Sequence, residues 1–160
     1  FKSAVPTHIC DHIIKYGLQM KEQMAVTGGY GDPKQLNQQQ VKDLKKKRDS
    51  NIVWLSENWI YKELHPYIRQ ASVNAGWGFQ WDWSEACQFT KYNKDYKGGE
   101  LEFDLRNGDP DKKRNTMICK QIRPKGSLVV FPSFIWHRVK PVTKGSRYSL
   151  VIWNLGRPFQ

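Results

Sequence analysis

The chain has 160 residues, with 26 Lys and Arg against 15 Asp and Glu, giving a formal net charge of +11 and a pI near 9.6. That length suits one domain over residues 1–160 with a sizeable core. The composition excludes internal repeats and low-complexity tracts, and no apolar run nears the roughly 20 residues of a helical membrane span.

Nothing at the start resembles a signal peptide. Cys10, Cys87 and Cys119 are odd in number, scattered and without zinc-type spacing, which points to free thiols in a reducing compartment and so to the cytoplasm. The basic excess admits nucleic acid or an anionic surface as a partner. Its densest run, residues 42–48, is confined to one segment, so a solvated face is the plainer reading. The sequence sets no oligomeric state.

In chain order, Ile9, Ile13, Ile14 and Leu18 recur at helical spacing, predicting a helix over residues 7–24. His8 and His12 ride on it four residues apart, but without an evident third ligand they read as surface residues. Residues 25–34 form a glycine-rich loop that does not match a phosphate-binding pattern. Residues 35–48 are polar and helix-permissive. Residues 51–55 read as a short buried strand. Ser56 is placed as the N-cap of a helix over residues 57–75 ended by Gly76. Trp59, Ile60, Leu64, Tyr67, Ile68 and Ala71 give that helix an apolar stripe, and Pro66 predicts a kink.

Trp77, Phe79, Trp81 and Trp83 alternate with smaller or polar residues as in an edge strand. An aromatic platform for bases or sugars is one reading of them, and packing the plainer one. Residues 87–92 alternate as a strand with Gln88, Thr90 and Tyr92 on one face and Phe89 on the other. Further strands are predicted at 100–105, 117–123, 127–131 and 148–153, separated by Gly/Pro turns and a charged excursion over 106–115. Helices first and many short strands afterwards suit an α+β fold.

The last stretch carries the chemistry. His137 lies between two predicted strands, followed ten residues later by Arg147 and then Ser149. Imidazole suits iron, zinc or copper, and a guanidinium fork grips a carboxylate. With Gly98-Gly99-Glu100-Leu101-Glu102-Phe103, Pro124-Lys125-Gly126-Ser127, Phe131-Pro132-Ser133 and His137-Arg138-Val139, this run resembles the iron(II)/2-oxoglutarate oxygenases of the prolyl 4-hydroxylase type. The resemblance implies a double-stranded β-helix (a cupin-like jelly roll) with supporting N-terminal helices on one face. It implies His137 as an iron ligand, Arg147 and Ser149 on the distal carboxylate of 2-oxoglutarate, and Tyr92 as a hydroxyl donor to it. It also implies ascorbate as an accessory and a prolyl or other residue of a peptide or protein as substrate. Trp136 and Trp153 are candidate pocket walls.

One departure matters. Such a site needs two His and one carboxylate on one face of the metal, and the family supplies the first two as a His-x-acid pair before the Gly-Gly-Glu strand. The interval here, Asn93-Lys94-Asp95-Tyr96-Lys97, holds no His, and Asn93 with Asp95 is a poor mimic. A stretch of a few dozen residues is absent by this comparison. Either the intact protein carries that segment, or the product is a jelly-roll binding module without metal, with nucleic acid as a possible ligand.

Overall fold

A computed structural model describes residues 1–24, 35–47, 50–93, 98–106, 109, 111–113, 115–140 and 146–157. The glycine-rich stretch 25–34 and the mimic residue Asp95 lie outside them, and so do Pro141 and Gly145 of the last stretch. The elements are α1 (Thr7–Gln19), β1 (Gln23–Met24), α2 (Gln38–Lys47), β2 (Ser50–Leu55), α3 (Asn58–Asn74), β3 (Trp83–Ser84), β4 (Cys87–Asn93), β5 (Leu101–Asp104), β6 (Thr116–Ile118), β7 (His137–Val139), β8 (Ser146–Val151) and β9 (Asn154–Leu155). All strand pairs are antiparallel, in sheets ordered β1-β2-β4-β8, β6-β5-β7 and β3-β9.

The four-stranded sheet organises the rest. Residues directly opposite one another across an antiparallel pair share a face. Val53, Phe89 and Leu150 are therefore aligned on one side, beside Leu55 with Cys87. This side meets the helices: Ile13 of α1 and Ile60 of α3 join Val53, Leu55, Cys87 and Phe89 in one buried cluster. Ile60 is 0% and Leu55 1% exposed, and burying side chains of that size stabilises by about 1.5–3 kcal/mol each. Gly17 makes the approach of α1 possible, because a Cβ there would lie 2.7 Å from the Phe89 ring. Tyr16 of α1 donates a hydrogen bond to Glu57 (2.5 Å), which also ties α1 to the start of α3.

Several sequence expectations are corrected. The first helix ends at Gln19 rather than residue 24, since the chain turns extended at Met20 and Gln23 and Met24 pair with Ile52 and Asn51. Sheet pairing outweighs local helix propensity there. The N-cap of α3 is Glu57, not Ser56, whose own N–H donates to Glu57 Oε2; α3 runs on through Pro66. The aromatic run forms a strand only at Trp83–Ser84. Gly76 and Gly78 take φ of +64° and +63°, conformations that interrupt a strand, and Trp77 stacks on Phe79 instead. Residues 127–131 join no ladder. They run beside the N-terminus, with Phe1 and Leu128 exchanging main-chain bonds of 3.0 Å and Ser3 N–H donating to Ser127 Oγ. The strand expected over 117–123 is Thr116–Ile118, followed by a 3-10 turn at Lys120–Ile122.

Residues 35–48, an exposed helix or a mobile flap by sequence, hold helix α2. Asn37 Oδ1 accepts from Gln40 N–H (2.8 Å) while Gln40 Oε1 accepts from Asn37 N–H (2.9 Å), a reciprocal cap that fixes its start.

Candidate functional site

The opposite face of the four-stranded sheet carries the rows Ser50–Tyr92–Arg147, Ile52–Thr90–Ser149 and Trp54–Gln88–Val151. Tyr92, Arg147 and Ser149, singled out in the sequence, thus fall on two adjoining rows of neighbouring strands. The Arg147 guanidinium carbon lies 5.5 Å from the centre of the Tyr92 ring, a cation–π contact that orients the fork. Tyr92 is 5% and Thr90 0% exposed.

Two buried side-chain atoms on this face have no hydrogen-bond partner among the described residues, Thr90 Oγ1 and Arg147 Nη1. Buried polar groups are nearly always paired, and leaving one unpaired costs about 1–3 kcal/mol, more when it is charged. A donor hydroxyl and a guanidinium N–H left open on adjoining rows are the complement of a carboxylate. Thr90 was assigned to this face from its alternation, but its significance was missed. A fully buried Thr flanked by Phe89 and Tyr92 was the available signal.

His137 sits elsewhere. It lies on β7, in the three-stranded sheet, opposite Phe103, while Arg147 lies on β8 of the four-stranded sheet. Its ring packs edge-on against Phe131 at 4.7 Å. Nδ1 donates to the Ile135 carbonyl at 2.8 Å, which leaves Nε2 as the free lone pair, the arrangement typical of a metal-ligating histidine.

The other three histidines are on helices. His8 and His12 are on α1, where His12 stacks on Trp59 at 4.3 Å. His65 is on α3 and donates through Nε2 to Ser84 Oγ (3.1 Å), which donates to Asn154 Oδ1; burial and nearby Arg69 push its pKa down. Clefts of about 370 and 400 Å³ are both walled by α3, the first by Tyr61, Lys62 and His65 and the second by Ala71 and Asn74. Cys10, Cys87 and Cys119 are free thiols as expected, and burial pushes Cys87 up to about 11, so it is no ready nucleophile.

On the face of the three-stranded sheet opposite to Phe103, the buried Glu102 accepts from Arg138 Nε at 2.6 Å with Lys140 nearby. The hydrogen bond from Arg138 holds its carboxyl below the usual range.

Residues 78–154 match the model of the 2OG-Fe(II) oxygenase superfamily. Iron(II) and 2-oxoglutarate are the cofactors of the matched superfamily. Among curated relatives, a PKHD-type hydroxylase of Synechococcus sp. is 37% identical over 65 residues, 41% of this chain and 25% of the relative. One from Pseudomonas fluorescens is 34% identical over 62 residues, 38% and 23% of the two chains. One from Gloeothece citriformis is 38% identical over 74 residues, 44% and 30%. The chain thus spans only 23–30% of the length of these relatives. No solved structure matches the chain. No helix among the described residues is long and apolar enough to cross a membrane.

The residues present fit the two cofactors unequally. The β4–β8 face fits a carboxylate. Iron is not fitted: among the described residues no three His, Cys, Asp or Glu side chains are grouped to hold a metal, and His137 stands without a second histidine.

Proposed function

We propose that this chain forms the cosubstrate-holding part of a 2-oxoglutarate-dependent dioxygenase that hydroxylates a C–H bond in a peptide or protein residue, a prolyl residue first. The observation that carries the reading is the pair of unpartnered buried atoms, Thr90 Oγ1 and Arg147 Nη1. In this reading Arg147 and Thr90 bind the distal carboxylate of 2-oxoglutarate, with Ser149 and Tyr92 completing the wall. The four- and three-stranded sheets are the two walls of a jelly roll, and α1 and α3 support it from outside. His137 offers one ligand to iron. The remaining two come from outside these 160 residues, so no reaction step is assigned to the metal. Ascorbate is an accessory of the same activity, and the free thiols fit the cytoplasm.

The test uses the full-length protein with iron(II), 2-oxoglutarate and proline-containing peptides. Succinate and a hydroxylated peptide are expected from the wild type, and loss of both from a folded Arg147→Ala variant. Unchanged succinate production by that variant would refute the assignment.

A second reading, a non-catalytic module for nucleic acid, is favoured by the net charge of +11 and the incomplete donor set. Salt-sensitive binding of DNA or RNA to the 160-residue chain, unaffected by 2-oxoglutarate, would support it.

A further inference from the structure

We propose that carboxylate capture in this chain is independent of metal: the β4–β8 face binds a dicarboxylate by one end, and these 160 residues bind no catalytic iron. The inference rests on the carboxylate reading above and goes beyond it. It starts from the donor set. The chain has four histidines, and each has a described position.

His137 alone lies on a strand with a free Nε2. His8 and His12 belong to α1 and His65 to α3, the helices that pack on the Phe89 side of the four-stranded sheet. Arg147 and Thr90 project from its other side. Moving any helical histidine beside the Arg147 site would take it through the sheet. A facial site of two His and one carboxylate therefore cannot be assembled from this sequence.

The anion site depends on none of those groups. Thr90 Oγ1 is in a side chain with 0% exposure and, like the buried Arg147 Nη1, has no partner among the described residues. The Tyr92 ring under the guanidinium holds the fork in place without a metal. Where a resident metal chelates the keto-acid end, the ligand's affinity depends on that metal. Without one, the keto group contributes little, and 2-oxoglutarate and glutarate become near-equivalent ligands.

The experiment is calorimetry of the 160-residue chain with 2-oxoglutarate and with glutarate, each in EDTA and in Mn(II), a redox-silent substitute for iron(II). The expected result is similar affinity in all four titrations. Arg147→Lys, which keeps the charge and removes the fork, should weaken each by about tenfold, the loss of one charge-assisted hydrogen bond. Tightening of 2-oxoglutarate but not glutarate by Mn(II), by about tenfold or more, would overturn metal independence and leave the carboxylate site standing. Absence of binding by either anion under both conditions would overturn the carboxylate reading itself, and this inference with it.

Discussion

Replacing Thr90 by Val should make the ligand-free protein more stable and the ligand-bound protein less so. Thr90 is 0% exposed, Ile52 and Ser149 oppose it, and its Oγ1 has no hydrogen-bond partner. An unpaired buried hydroxyl costs about 1–3 kcal/mol. Val exchanges that hydroxyl for a methyl of similar size on the same β-branched frame, so no cavity opens and strand propensity is kept. Taking the lower end of that range, Thr90→Val should gain about 1 kcal/mol, or roughly 2–4 °C in Tm for a chain of this size. With 2-oxoglutarate present the order reverses. Ligand binding raises the wild-type Tm through mass action, whereas the variant lacks one hydrogen bond to a charged carboxylate, about 1.5–3 kcal/mol. The assay is urea and thermal unfolding followed by fluorescence of the seven tryptophans, with and without 2-oxoglutarate. A variant less stable than wild type without ligand would mean that the hydroxyl is already satisfied, and the reasoning from unpaired atoms would fail.

Two further predictions follow from the helix side and the three-stranded sheet. Gly17→Ala gains up to about 1 kcal/mol of helix propensity but places a Cβ 2.7 Å from the Phe89 ring. Overpacking of a filled core costs about 1–3 kcal/mol, so the variant should lose about 1 kcal/mol by urea unfolding, and a gain in stability would show that α1 moves away freely. The Glu102 carboxyl is held below its usual pKa, chiefly by the hydrogen bond from Arg138. On acidification the unfolded chain therefore takes up its proton first. The stability contributed by this pair is present above the unfolded carboxylate pKa and is lost as pH falls through the folded one. Glu102→Gln should flatten the acid limb of the stability–pH curve, and an unchanged slope between the two proteins would count against the pair.

Legibility in the sequence followed periodicity. Helix α3 declared itself through Trp59, Ile60 and Leu64, and β4 through the alternation of Phe89 with Gln88, Thr90 and Tyr92, because each burial pattern repeats along one segment. Pairing between distant segments was not legible. Nothing local tells residues 127–131 that they will meet Phe1 and Ser3 rather than a full strand, nor that Gln23 and Met24 will leave a helix to join Ile52 and Asn51. The sequence puts His137 and Arg147, ten positions apart, on successive strands facing one cavity, and says nothing of which strands theirs pair with. Their strands pair with β5 and β4 respectively, which puts them in separate sheets. The arginine and its tyrosine were found by resemblance, and the open hydroxyl between them and Ser149 required coordinates.

The alternation of β4 has a consequence for how this protein can change. Cys87 and Phe89 serve the packed side, while Gln88, Thr90 and Tyr92 serve the other. Ligand preference can therefore drift by substitutions at the even positions without disturbing what keeps the chain folded. Insertion or deletion of a single residue has the opposite effect, since it exchanges the two sets at once, setting a phenyl ring against the guanidinium and a hydroxyl among the helices.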